Sequence, residues 1–176
     1  MNTTTKPSYG QPALIGGLVM GVLSALPIVS AGNLCCCLWL LSGGAVAAYL
    51  LQQNHPLPIT PGDGALVGLL AGLIGATVYF VLSIPIGILM APLEREVLQR
   101  IVDMAGPMPP DMREMIERYS GRTETSVAVV VIYRVVAFMF MLVLGAIFST
   151  LGGLVGAAIF RKPASPPGTI DVPPGA

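Results

Sequence analysis

Residues 64–90 read GALVGLLAGLIGATVYFVLSIPIGILM, without one charged side chain. As a helix rising 1.5 Å per residue, this stretch is about 40 Å long, more than the roughly 30 Å hydrocarbon core of a bilayer. An apolar run of about 18 residues or more with almost no charge reads as a membrane span. Three more runs carry the same signature: Ala13–Val29, Leu34–Leu51 and Val127–Phe160. Up to Met90 the formally charged side chains are Lys6 and Asp63 alone. The expected fold is all-α, a four-span transmembrane helical bundle with the lipid bilayer as its first partner.

Composition points the same way. The chain is 54% hydrophobic and 10% charged, whereas a soluble domain carries about 25% charged residues. Nine basic residues balance nine acidic ones, so no net field recruits nucleic acid. The 21 glycines lie mostly inside the apolar runs, where membrane helices tolerate them. Lys6 ahead of an apolar stretch and the small residues Val29-Ser30-Ala31 imitate a signal peptide. That stretch is longer than a usual signal core and Leu34 opens the next run at once, so a span is the better reading.

Residues 1–11 read as a polar, disordered tail, 12–162 as the membrane domain, and the Pro- and Gly-rich 163–176 as a second disordered tail. Ser30-Ala31-Gly32-Asn33 predicts a tight turn that makes the first two spans a hairpin. Asp63 is placed to N-cap the third span, and Pro85 to kink it. Pro92 is expected to open an amphipathic insert, 92–122, between spans three and four. In its first helix Leu93, Val97, Leu98, Ile101 and Met104 share a face opposite Glu94, Glu96, Arg100 and Asp103. A second helix is expected from Asp111 to Gly121, and Thr123 or Thr125 as the cap of the fourth span. Ala13-Leu14-Ile15-Gly16 recurs as Ala65-Leu66-Val67-Gly68, and Gly43-Gly44-Ala45-Val46 as Gly152-Gly153-Leu154-Val155. The four spans therefore also read as two tandem helical hairpins, or the echo is one of composition alone.

Small-residue stripes are the candidate sites of helix packing. They are Gly17 and Gly21 with Ala25 on the first span, Gly64, Gly68 and Gly72 with Ala76 on the third, and Gly145, Ser149, Gly152 and Gly156 on the fourth. Lipid gives helices no hydrophobic reason to associate, so close approach through small residues does that work. The contact is either within one chain or the seam of a homo-oligomer. Arg134 is the most costly residue, eight places into an apolar run of residues. It reads as an interface charge that snorkels or pairs with Glu94, Glu96 or Glu124, and alternatively as a functional intramembrane charge. Cys35-Cys36-Cys37 invites a metal reading. Neighbours on a helix point about 100° apart and cannot converge on one ion, so no metal, cofactor or catalytic residue is assigned.

Nucleotide loops, Gly-x-Ser-x-Gly, His-Glu-x-x-His and paired intramembrane acids are absent from the sequence. The motifs Gly32-Asn33-Leu34-Cys35-Cys36-Cys37-Leu38-Trp39 with Gly43-Gly44, Gly62-Asp63-Gly64-Ala65 and the run from Phe148 to Ala158 resemble a group of small bacterial multi-pass proteins of uncharacterised function. The likeness covers the spans rather than the insert and carries no activity. The expected function is that of a non-enzymatic membrane protein packing with itself or a membrane partner. The alternative is a small transporter or channel built from two hairpins. Four spans put both termini on one side of the cell membrane, expected to be the cytoplasmic side of a bacterial inner membrane. The insert's five arginines against Lys6, Arg161 and Lys162 favour the reverse, but seven acids lie with them between Glu94 and Glu124.

Overall fold

The longest element in the computed structural model, which describes residues 8–26, 29–34, 37–105, 109 and 127–162, grows from the stretch quoted above. This helix, α3, runs from Pro61 to Ala105. It starts in a capping box. Thr60 Oγ1 accepts a bond from the Asp63 amide at 3.2 Å, and Asp63 Oδ2 accepts from the Thr60 amide at 2.8 Å. Pro61 fills the first helical position, where a missing N–H costs nothing. Thr60, not Asp63, is therefore the cap, and Asp63 is its reciprocal partner in the first turn.

Pro85 and Pro92 both lie inside α3. The separate helix expected to open at Pro92 is the continuation of α3. A proline removes one amide and crowds one carbonyl, but the remaining backbone groups still pair best within the helix where water is scarce. The expected second insert helix, 111–121, its caps at Thr123 and Thr125, and the tail 163–176 lie outside the described residues.

Three other α-helices complete the described fold, in which no residue is in a strand: α1 Gly10–Ala25, α2 Leu38–Asn54 and α4 Val127–Phe160. Of the four, α3 over Pro61–Met90 and α4 are long and apolar enough to cross a membrane. α1 and α2 have 16 and 17 residues, about 24–26 Å, and fall short of that length. The first hairpin uses residues that hydropathy alone assigns to spans. α1 ends at Ala25, and Val29–Leu34 form a 3-10 turn. There Asn33 Nδ2 donates to Ser24 Oγ at 3.0 Å, Asn33 Oδ1 accepts from the Trp39 amide at 3.2 Å, and Trp39 Nε1 donates to the Val29 carbonyl at 2.6 Å. Gly32 leaves room for the indole, since a Cβ there would stand 2.5 Å from Nε1.

Cys37 precedes α2 in the left-handed region (φ 53°, ψ 43°). A divergence of about 100° between neighbours requires that the cysteines sit on a helix. Cys37 does not, and Cys35 and Cys36 lie outside the described residues. At the other end of the chain α1 begins at Gly10, inside the segment read as a disordered tail.

The helices alternate in direction. The Tyr9 hydroxyl donates to Asp63 Oδ1 at 2.6 Å, which places the starts of α1 and α3 together. Lys162 Nζ donates to the His55 carbonyl at 2.9 Å, which places the ends of α2 and α4 there too. Around the bundle the order is α1, α2, α4, α3, with α2 and α3 also touching across a diagonal. Hence α1 and α3 are parallel neighbours, as are α2 and α4.

Candidate functional site

Two places combine sequence features with unusual geometry: the glycine seams inside the bundle and a cleft at Arg134. In the seams, adjacent glycines do separate jobs. Neighbouring positions on a helix point about 100° apart, which is the angle between two neighbours of a helix in a four-cornered bundle. Gly16 meets α2, where an added Cβ would stand 2.5 Å from the Gly43 carbonyl oxygen. Gly17 meets α3, with 2.9 Å to the Ala71 oxygen. Gly43 faces α1 and Gly44 faces Ser149 and Gly153 of α4. Gly152 faces Leu41 of α2, and Gly153 faces Gly64 and Gly68 of α3.

The remaining stripe residues fall into the same four seams. Gly21 lies against α3, with 2.7 Å from an added Cβ to the Gly75 oxygen. Gly64 would press on the Gly153 oxygen at 2.5 Å, while Gly68 and Gly72 lie against Ser149 and Gly145. Gly156 fits under Ala45 of α2 at 2.9 Å. The fourth-span stripe thus divides, Gly145 facing α3, Gly152 and Gly156 facing α2, and Ser149 meeting both, α2 at Gly44 and α3 at Gly68 and Gly72. Met20, fully buried, fills the middle and reaches Gly43, Gly75 and Gly145, a use suited to its flexible thioether. Among the described residues the buried Ser149 hydroxyl has no hydrogen-bond partner. The two hairpins differ in register: the repeated motifs pair Gly16–Gly43 with Gly68–Gly152, but Gly68 meets Ser149 and Gly153.

Polar contacts gather at the two ends. At the end holding Tyr9, buried Gln52 is the hub, a role not apparent from the sequence. Its Oε1 accepts from the Ile59 amide at 2.9 Å and its Nε2 donates to the Leu57 carbonyl at 3.1 Å. The bond to Asp63, then burial and the carboxylate's charge, push the Tyr9 phenol up to about 12. Between the ends, hydroxyls satisfy themselves locally: Thr77 donates to Leu73 O at 2.9 Å and Thr150 donates to Ala146 O.

Arg134 lies at the opposite level, half-buried between α3 and α4. Its Nη1 donates to Ser83 Oγ at a long 3.4 Å. The cleft around it holds about 400 Å³ and includes Tyr79, Phe80, Tyr133 and Phe138 among its walls. Of the acids considered as partners, Glu96 is engaged with Arg100 at 2.7 Å. The side chain of Glu94 and the whole of Glu124 lie outside the described residues. Among the described residues no cluster of three His, Cys, Asp or Glu side chains could hold a metal ion.

The chain matches no curated protein and no solved structure. A family model does match, over residues 10–108. That span takes in α1, α2, the whole of α3 and the start of the insert, and stops short of α4. It agrees with the resemblance to an uncharacterised group, while extending into the insert that the resemblance left out. Because the match covers more than half of the chain, this protein belongs to the family of unknown function DUF5518.

Proposed function

We propose that all four helices cross the cell membrane and that the protein is a non-enzymatic packing and interaction unit within it. The observation that carries this reading is the separation of polar from apolar contacts. The seams hold glycine, alanine, Ser149 and apolar side chains such as Met20 and Ile74, while the Tyr9–Asp63, Gln52–Ile59 and Asn33–Trp39 bonds sit at the ends. From Val135 to Leu144 no residue of α4 is buried, although every one of them is apolar. Such a surface suits lipid and is costly in water.

The levels of the bundle suit a bilayer. Asp63 and Ser83 are 20 residues apart on α3, about 30 Å, which is the thickness of a hydrocarbon core. Tyr9 and Tyr49 lie near one level and Trp39, Tyr79 and Tyr133 near the other, as interfacial aromatics do. The short α1 and α2 reach across with the help of the 3-10 turn at one end and the Gln52 loop at the other. The glycine stripes are taken up within the chain, so contact with a second copy or another membrane protein falls to the exposed flank of α4. The transporter reading is weaker, because Thr77 and Thr150 turn to their own helix carbonyls and line no polar path.

Reporter fusions at Gly106 and Ala176 test the crossing. We expect the Ala176 fusion to report the cytoplasm and the Gly106 fusion the opposite side. The same compartment for both would remove a span. Liposomes carrying the protein should leak small solutes no faster than protein-free liposomes. A saturable flux would favour the transporter.

A further inference from the structure

Resting on the membrane-spanning reading, we infer that the Arg134 cleft binds the phosphate of an anionic membrane lipid. A guanidinium has five N–H donors and never deprotonates in a protein. Among the described residues Arg134 reaches one acceptor, Ser83 Oγ at 3.4 Å, beyond the usual N–H···O range of about 2.7–3.2 Å. That hydroxyl is itself committed, since it donates to the Phe80 carbonyl at 2.8 Å. Ser83 therefore orients the guanidinium, and among the described residues no carboxylate compensates its charge. A half-buried cation in an apolar cleft is costly without a counter-charge.

Position and wall chemistry name the anion. Arg134 is level with Ser83, one hydrocarbon thickness from the Asp63 end, where lipid phosphates lie. A phosphate offers the planar pair of oxygens that a guanidinium binds as a fork, and Tyr79 and Tyr133, residue types whose hydroxyl can donate, are among the residues that line the cleft. Phe80 and Phe138, whose rings stand 4.7 Å apart, make the rest of the wall apolar. Free phosphate has no use for that wall, whereas the glycerol and upper acyl chain of a lipid do. The cleft also adjoins exposed Val81 of α3, on the side of Ser83 that faces the Asp63 end, a surface that acyl chains would cover.

The test is native mass spectrometry of the full chain released from nanodiscs holding phosphatidylglycerol and phosphatidylcholine together, for wild type, Arg134→Lys and Arg134→Gln. Wild type should retain phosphatidylglycerol preferentially. Arg134→Gln, which keeps most of the side-chain length, should lose that preference by roughly tenfold or more, the equivalent of one charged hydrogen bond. Arg134→Lys should keep part of it. Equal retention by wild type and Arg134→Gln, with both proteins folded by circular dichroism, overturns the inference. If inorganic phosphate alone raises the melting temperature of the delipidated protein as much as phosphatidylglycerol does, the ligand is a free phosphate and the lipid assignment fails. Alkaline carbonate extraction of the same proteins separates the two readings. Wild type that is released from membranes refutes the spanning reading itself. Wild type that resists extraction but shows no lipid preference refutes only the site.

Discussion

Substituting Gly72 reports on the seam between α3 and α4. A Cβ there would stand 2.7 Å from the Gly145 carbonyl carbon and 3.0 Å from Ser149 Cβ. Ordinary contact begins at 3.4 Å and the Gly145 carbonyl oxygen stands nearer still, so α4 would have to retreat by about 1 Å. A gap of about 0.5–1 Å forfeits a quarter to a half of the dispersion attraction between facing atoms. Gly64 and Gly68 share this seam and would lose contact with Gly72. Overpacking of this kind costs about 1–3 kcal/mol, and alanine returns about 1 kcal/mol through its helix propensity. The expected net loss is about 1 kcal/mol for Gly72→Ala and about 3 kcal/mol or more for Gly72→Leu, which has no pocket to enter. At about 2–4 °C per kcal/mol, the leucine variant should melt roughly 10 °C below wild type in detergent. Gly10→Ala is the control, because nothing lies within 4 Å of an added Cβ there. Gly72→Leu melting with wild type, while folded and at unchanged oligomer mass, would show that α3 and α4 do not approach as described.

Three further outcomes follow from single contacts. Gln52→Ala should cost about 1–3 kcal/mol in thermal unfolding, because it leaves the buried Ile59 amide without its acceptor. Tyr9→Phe should cost about 1 kcal/mol by removing the bond to Asp63. In wild type that contribution should be complete below pH 10 and fade as pH rises toward about 12, because the folded phenol titrates above its ordinary 10.0. The variant should lack this alkaline loss in a pH series of melting curves. Cys37→Gly should raise stability by up to about 1 kcal/mol, since Cys37 sits at φ 53°, where an L side chain is strained; a lower melting temperature would contradict it.

The helices were legible because charge is so rare in their stretches, and the glycine stripes were legible because they repeat every three or four residues. Helix ends were less so. Hydropathy cannot show that Asn33 ties Ser24 to Trp39, so residues counted as span became a turn. Thr60 as the cap was hidden in a proline-rich loop, although Thr60-Pro61-Gly62-Asp63 carries the reciprocal spacing of a capping box. The paired glycines 16–17, 43–44 and 152–153 were seen only as an echo of a repeat. Two adjacent glycines on one helix already imply two close neighbours, and this signal would have added Gly16, Gly43, Gly44 and Gly153 to the packing residues. At Arg134 the cost of the charge was evident from the sequence. Its partner was not, because Ser83 lies 51 residues away on another helix. Gln52 gave no signal, as one glutamine at the end of an apolar run looks like a solvated terminus.

Membrane crossing by all four helices is tested most directly by labelling single cysteines at Leu18, Val46, Leu73 and Ile147, one near the middle of each helix. The background is Cys35→Ser, Cys36→Ser and Cys37→Gly, and the reagent is a water-soluble maleimide applied to protein in intact membranes. All four positions should resist labelling until the membrane is dissolved in denaturing detergent, while a cysteine at Gln53, at the bundle's end, labels at once when exposed to the reagent from its own side. Rapid labelling at Leu18 and Val46 with protection at Leu73 and Ile147 would leave α3 and α4 as the spans and place the first hairpin outside the bilayer.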